Sequence, residues 1–494
     1  MIKNVVFVLL LLSAFVNLKA QETDRMPVMR VTFDGLIQRD MDYVNGQMQL
    51  TDTEGNVIEL PARFRTRGAT AQDFLMKPSL NMKLRTADYT EEADSALLGM
   101  RSCSSWILDG MAIDRICMRN RVAFDIWNDF SRLPYATDYD GRNGTEGRFI
   151  ELYINNQYYG IYCLSDRINR KLLNLKKAKE NEDGSVTIRG ALYKSGTQNI
   201  QNQNEPTYSE DSITCVIEWH NAWEVKYPEE YAGSIVWQPL QDAFANGRNT
   251  AYVKKHFYLE NLVDYHLLVM ALSITDNWGN KNRFFSIRNI NKDINDADPN
   301  ESDRRRFVVT PWDLDTSFGG SFNGACYGGN YVEWPVDVLA INAPYPNSEL
   351  QVDPDYLNLL KSRWITARSG AFSPTSVRER LETYCDLFIK SGAWKRMVNH
   401  FDSQNVKSMY VNDLTEEIEY IMTWYVNRFQ EMDIFFGITD EDGVDRLAPN
   451  PSRNGGEIYD LSGRKINSQF SIFNSQLKKG LYIQDQKKAL IQQR

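Results

Sequence analysis

Histidine is nearly missing from this chain: His220, His256, His266 and His400 are the whole complement in 494 residues. The six cysteines, Cys103, Cys117, Cys163, Cys215, Cys326 and Cys385, nowhere fall into C-x-x-C spacing and do not cluster with those histidines. A zinc centre is therefore improbable, and no catalytic Cys–His pair is suggested. What remains for the thiols is burial as free cysteines, with one or two disulfide staples permitted if the chain is exported. A positive surplus is also missing. With 56 Lys and Arg against 65 Asp and Glu, the net charge is −9, which argues against a general nucleic-acid binder while leaving room for local basic clusters. Beyond the first twenty residues there is no long apolar run, so no stable membrane span is expected.

Those twenty residues, "MIKNVVFVLLLLSAFVNLKA", place a lysine before an apolar run from Val5 to Val16 and the small residue Ala20 at the end. This is the pattern of a secretory signal peptide over 1–20, with a hydrophobic segment too short to span a bilayer comfortably. The expected location is therefore outside the cytoplasm: periplasm, cell surface or extracellular. No cysteine begins the segment that follows, so lipid attachment there is not indicated.

Hydrophobic residues at 42% and aromatics at 12% support a packed globule, and the length allows a two-lobed domain with extras. "IELPARFRTRG" and "KPSLNMKLR" read as strands joined by "GATAQDFLM", and "SSWILDG" as a third. In "DRICMRNRVAFDIWNDFS", Ile116, Val122, Ala123, Ile126, Trp127 and Phe130 recur at helical spacing. "GRFIELYINNQYYGIYCLSD" is a hairpin turned at Asn155-Asn156. Residues 171 to 249 are polar and irregular apart from a short strand in "GALYKSG". A long helix, "HFYLENLVDYHLLVMALSIT", then ends at "DNWGNKN", followed by strands "RFFSIRN" and "RFVVTPWDLD" and by helical segments from Asp355 to Phe436. His256 and His266 share that long helix and are expected to pack or face solvent. Asp264 is read as part of a solvated face, and Trp278 and Trp312 as core aromatics beside a loop. The fold class is thus α+β, with a β-rich lobe over about 21–200 and a mainly α lobe over about 201–436. A Pro-, Gly- and Asp-rich linker over 437–455 leads to a small all-β module over 456–494.

The chemistry concentrates between Asp276 and Asp315. A helix stops, a loop carries Asp276, Lys281 and Asn282, a hairpin returns the chain, and an acidic pair leaves its second strand. Such a path brings Asp276, Asn282 and Asp313 to one rim. Period-two alternation would also set Asp313 and Asp315 on the same face, about 6–7 Å apart along the strand. Converging carboxylates and an amide oxygen suit a hard cation, Mg²⁺ or Mn²⁺, carrying a phosphate. The order of a loop Asp, an Asn and a later Asp across a hairpin is the order used for phosphoryl transfer in protein kinases. There is no HRD or DFG here, and the Asp276-to-Asn282 spacing is one residue longer.

With Arg67-Gly68-Ala69-Thr70 and Lys77-Pro78, "YYGIYCLSDRIN", "TDNWGNKN" and "TPWDLDTSFGG" in this order, the chain resembles the spore-coat protein H (CotH) family of secreted, atypical protein kinases from about Val31 to Phe436. The resemblance implies a two-lobed kinase-like fold that binds ATP and a divalent metal and phosphorylates protein hydroxyls. It implies Asp276 as the catalytic base, Asn282 and Asp313 as metal ligands with Asp315 beside them, and Arg67, Gly68 and Thr70 as a phosphate-covering turn. Lys77, Lys83 and Arg119 are the candidates for neutralising phosphate, with Lys83 favoured. Asp166 stands where the family's hairpin Glu would be, and Ala69 where a polar residue is common. The closing "IYDLSGRKI…LKKGLYIQ…KKALI" is similar to the C-terminal sorting modules of secreted Bacteroidetes proteins, which implies secretion or surface-attachment machinery as a partner.

The expected function is an exported kinase acting on Ser or Thr of a surface or exported protein, with the scarcity of ATP outside the cytoplasm as the physical objection. The alternative is a non-catalytic adhesin that keeps the kinase-like shape. Glycoside hydrolysis by Asp313 and Asp315, prompted by the Trp and Tyr content, ranks last, because the two are adjacent on one strand instead of flanking a cleft.

Overall fold

The computed structural model describes residues 25–68, 70–135, 141–195, 223–228, 234–246, 249–277, 282–292, 294, 305–320, 353–403 and 410–438, with the backbone of four short strands beyond. The signal peptide over 1–20, Cys215, Cys326, His220, Trp278, Lys281 and most of the linker lie outside the described residues. The four described cysteines, Cys103, Cys117, Cys163 and Cys385, are buried free thiols.

The chain is mixed α+β and divides into two compact units, neither continuous in sequence. One comprises Met1–Val122, Thr145–Ile168 and Glu379–Thr415, the other Ala123–Gly144, Asn169–Arg378 and Glu416–Arg494. Seven strands close a barrel in the first: β1 (Val28–Phe33), β2 (Val44–Thr51), β3 (Val57–Thr66), β4 (Leu80–Leu84), β5 (Ser105–Asp109), β6 (Gly147–Ile154) and β7 (Gln157–Asp166). Their order is β1-β2-β3-β4-β5-β7-β6, antiparallel throughout except where β1 meets β6 in parallel. Alternation decides what goes inside. Val31, Phe64, Met82, Trp106, Leu152 and Leu164 fill the interior, and each such buried large side chain stabilises by roughly 1.5–3 kcal/mol. The residues between them, Arg63, Arg65 and Lys83, project from the outer face. Strands β1 and β2 were not foreseen from the sequence; the other five and the Asn155-Asn156 turn were.

Helix α1 (Arg119–Phe130) is preceded by Asp114, whose carboxylate accepts from the backbone N–H groups of Ile116, Met118 and Arg119. After a two-residue ladder of β8 (Lys179–Glu180) and β9 (Val186–Thr187), the second unit builds a four-stranded sheet. Its order is β11-β10-β12-β13, from β10 (Ala191–Ser195), β11 (Trp223–Tyr227), β12 (Arg283–Ile287) and β13 (Phe307–Pro311). The stretch read as irregular therefore contains β11 and a helix, α2 (Ser234–Asn246).

The single long helix expected from His256 is two, α3 (Thr250–His256) and α4 (Leu259–Leu272). The break has a cause in the sheet: Phe257 is extended and bridges Phe307, and Tyr258 N–H donates to the Phe307 carbonyl at 3.1 Å. Helix α4 is buried from Asn261 to Leu272, so Asp264 does not face solvent as expected. It is 3% exposed and paired with Arg363, whose Nε lies 2.6 Å from Oδ1. Burial nonetheless raises its carboxyl to about 6, against the pull of Arg363. His256 stacks on Tyr252, and His266 is buried with Nδ1 3.2 Å from the Tyr356 hydroxyl.

Four further helices follow, α5 (Pro354–Arg368), α6 (Pro374–Lys390), α7 (Ala393–Ser403) and α8 (Leu414–Phe435). Residues 458–459, 465–466, 480–484 and 487–491 form an antiparallel sheet of four short strands, β14 to β17. Among the described residues no helix is long and apolar enough to cross a membrane.

Candidate active site

Asp276, Asn282 and Asp313 all lie in the second unit. Helix α4 ends at Ser273 in the left-handed region, and Met270's carbonyl there is held by the buried Arg428, Nε to O at 2.8 Å. A cation at a helix C-terminus is favourable, although desolvation lowers the Arg428 guanidinium to about 10. The Leu272 carbonyl accepts from Phe318 N–H at 2.9 Å. With its end fixed from two directions, the helix delivers a short 3₁₀ turn, Thr275–Asn277. On the sheet side, Asn261 of α4 brackets Val309 with both ends of its amide: Oδ1 accepts from Val309 N–H at 2.7 Å and Nδ2 donates to its carbonyl at 3.0 Å. The strand that leads to Asp313 is thereby pinned to the helix that leads to Asp276.

Between these supports the two loops interlock. Asn282 Nδ2 donates to Asp276 Oδ2 at 2.9 Å. Trp312 N–H donates to the Asn282 carbonyl at 3.0 Å, and Asp276 N–H to Thr316 Oγ1 at 3.1 Å. Asn277, fully buried, bridges them: its Nδ2 reaches the carbonyls of Asn282 at 3.1 Å and Trp312 at 2.9 Å. Asp276, Asp313 and Asp315 are half-buried above this layer.

One expectation about the pair is corrected. Strand β13 stops at Pro311, and Asp313 has φ of 60°, so the period-two alternation that would align Asp313 and Asp315 has already ended. Asp315 enters a turn, and Leu314 between them is fully buried. The backbone is unusual throughout this region: Ser273, Asn282, Asp313 and Phe318 all have positive φ. Asn and Asp tolerate this conformation; Ser and especially Phe carry more strain in it. Conformations of this kind persist only where surrounding bonds over-determine them.

Asn282 has its NH₂ end on Asp276, so its amide oxygen is the end left to serve as a ligand; amide and carboxylate oxygens are the donors a hard divalent cation takes. Among the described residues no group of three or more His, Cys, Asp or Glu is placed to hold a metal. The set here depends on the amide.

The cations implied by resemblance all belong to the barrel unit and fall into two kinds. Lys77 is 1% exposed. Its ammonium lies 3.3 Å from Cys117 Sγ and 3.3 Å from Met397 Sδ, with the Tyr410 ring centroid at 4.6 Å. Desolvation pulls it below the usual lysine value, and burial pushes the Cys117 thiol up to about 11. Gly160 makes this cover possible: at φ of 89°, any Cβ would sit 2.7 Å from Met397 Cγ. Arg119 is 2% exposed and paired with Asp114 at 2.7 Å. Asp166, fully buried, engages Arg101 at 2.7 Å.

Lys83, in contrast, is on the outer face, 3.1 Å from Glu92. Arg67 is half-buried and Gly68 is exposed at φ of 99°, its carbonyl held by Gln72 Nε2 at 2.7 Å. Thr70 opens the 3₁₀ turn Thr70–Asp73. Sequence reading missed Asn277, Thr316, Asn261 and Arg428. The first two lie inside "TDNWGNKN" and "TPWDLDTSFGG", where their polar types were the only signal.

The sequence model of one family, described as CotH kinase protein, matches residues 64–432. No curated protein matches the chain.

Proposed function

Because the chain belongs to the CotH kinase protein family, we propose that it is an exported, metal-dependent atypical protein kinase transferring the γ-phosphoryl group of ATP to Ser or Thr of a surface or exported protein. The observation that carries this reading is the bond from Asn282 Nδ2 to Asp276 Oδ2, in a loop tied by Asn277 to the strand exit bearing Asp313. Asp276 is assigned as the base that accepts the substrate hydroxyl proton, with its backbone N–H fixed on Thr316. Asn282 and Asp313, with Asp315 beside them, would hold Mg²⁺ or Mn²⁺. When bound, such a cation supplies charge neutralisation on the phosphates. The protein's own part is positioning, since phosphoryl transfer asks for little covalent chemistry from the enzyme.

Among the cations, phosphate contact is assigned to Arg67 and Lys83, which are accessible, with Gly68 and Thr70 in the turn between β3 and β4. Lys77 and Arg119 are given to the barrel interior, where their partners are already in place. Export and surface attachment enter this reading from the sequence alone, through the N-terminal segment and the likeness of the tail to sorting modules.

Incubation with labelled ATP and Mn²⁺ tests it. Phosphate incorporation that falls at least about a hundredfold in Asp313→Ala is the expected result. No incorporation, together with a melting temperature indifferent to ATP and Mn²⁺, would leave a kinase-shaped binding protein instead.

A further inference from the structure

The outer face of β2, β3 and β4 holds a basic cluster of which the proposed phosphoryl transfer uses only Lys83. Arg63 and Arg65 are successive outward residues of β3, and Lys83 of β4 stands directly opposite Arg63 in the register. Asn45 of β2 is also opposite Arg63, which sets Tyr43, just before β2, beside Arg65. All three cations gather on the one ring: the Tyr43 centroid is 4.8 Å from the Arg65 guanidinium, 5.7 Å from that of Arg63 and 5.5 Å from Lys83 Nζ. Like charges placed opposite each other across a strand pair repel. Among the described residues only Lys83 of the three has a carboxylate neighbour, the half-exposed Glu92. The Nε atoms of Arg63 and Arg65 and the Tyr43 hydroxyl are buried without a hydrogen-bond partner among those residues.

In a chain with a net charge of −9, two guanidinia without a carboxylate and a lysine around one phenol are not general surface composition. Buried N–H groups without acceptors are costly, and a ring face holds a cation only weakly by comparison with an anion. We infer that this face binds a tetrahedral oxyanion of the phosphate or sulfate type, held by Arg63, Arg65 and Lys83 over Tyr43. Guanidinia are suited to this because their planar forks match the oxygen spacing of phosphate. The anion accepts from the terminal guanidinium N–H groups and the Lys83 ammonium and relieves the repulsion between the cations. The site stands on these contacts alone and does not require the chain to turn over ATP.

Melting and calorimetric titration of the full chain with pyrophosphate, against NaCl at matched ionic strength, test the inference. The expected result is a rise in melting temperature with pyrophosphate beyond that with NaCl, and affinity at least about tenfold weaker in Arg65→Gln and in Arg63→Gln. A purely structural arginine would lower the melting temperature of the variant in anion-free buffer. Here Arg65→Gln should hold or raise it while abolishing the pyrophosphate-dependent increment, and Arg65→Lys should retain part of that increment.

Two further probes identify the source of the oxyanion. Weakening of ATP binding by Arg65→Gln assigns the site to a nucleotide, whereas weakening of a phosphoserine peptide with ATP unaffected assigns it to a modified protein; either supports the site. Equal stabilisation by NaCl, or pyrophosphate affinity unchanged in both glutamine variants, overturns it. Because Asp313→Ala reads out turnover and Arg65→Gln reads out anion binding, failure of one proposal is distinguishable from failure of the other.

Discussion

In the barrel, Arg63, Arg65 and Lys83 stand on strands of regular conformation and owe their grouping to alternation and register. In the rim of the second unit, Asn282 and Asp313 are themselves in the left-handed region, and their grouping is set by side chains that bond backbone. The difference teaches where precision comes from. A strand places charges at fixed intervals but leaves long side chains to settle in water. The rim instead fixes short side chains, Asp and Asn, whose reach is small enough for the backbone to decide their position. Lys77 is a third case, a cation in the barrel unit removed from water altogether and surrounded by sulfur and aromatic rings.

The contrast can be broken most forcefully at Gly160. Gly160→Ala would drive a Cβ into Met397 in a left-handed position, and a loss of about 2–4 kcal/mol is expected, from strain plus overpacking, measured by urea denaturation. A loss below about 1 kcal/mol would show that α7 is free to give way. Next is Asn277→Ala, which leaves two carbonyls of the rim without their shared donor. About 1–3 kcal/mol of stability should go. ATP-dependent incorporation should fall with it even though Asn277 carries no charge; unchanged incorporation would mean that the rim does not depend on this bridge.

Lys77→Met separates burial from function. A linear apolar side chain suits the sulfur and aromatic surroundings, so stability should change by less than about 1 kcal/mol or rise. If incorporation of phosphate is abolished while the melting temperature holds, Lys77 belongs to the phosphate set after all.

The smallest effect is a dependence on pH. Burial lowers His266 to about 3, below its ordinary value, so between about pH 3 and 6.5 the unfolded chain takes up a proton that the folded one refuses. Its stabilising contribution is present above 6.5 and declines as pH falls. Asp264, raised to about 6, works in the opposite direction: the folded chain holds its proton more tightly, and that contribution is lost as pH rises from about 4 to 6. His266→Gln should therefore flatten the acid limb of a stability-versus-pH curve by up to about 1.4 kcal/mol per pH unit. Curves that superimpose across pH 4 to 6 would rule out His266 as the cause.

Much of the fold could be read from the sequence. The strands of "RFRTRG", "NMKLR" and "SWILD" and the hairpin through Asn155-Asn156 follow from alternation and turn chemistry, and so does the outward direction of Arg63, Arg65 and Lys83. Strand β2 escaped because long polar residues, Asn45, Gln47 and Gln49, blur its alternation, and α2 because Pro239 interrupts its pattern. The contact of Asp276 with Asn282 was legible from residue types in the order of their loops. Its scaffolding was not, because a bond from Asn277 to two distant carbonyls, or from Asn261 to Val309, leaves no periodic trace. The misplaced alternation at Asp313 has the same origin: Pro311 ends the strand, and a local φ decides the rest.

The cover over Lys77 ties the beginning of the chain to a part made much later, since Met397 is separated from that lysine by 320 positions. During synthesis, the barrel strands are complete long before their last wall arrives. Until residues 379–415 emerge, Lys77 and Cys117 remain open to water and to any reagent that meets them. A fragment ended after β7 would retain every strand of the barrel and still lack the side chains that seal it. Any shortened form of the protein should therefore extend past the closing helix α7, and a handling chaperone would find its exposed target in the half-made barrel.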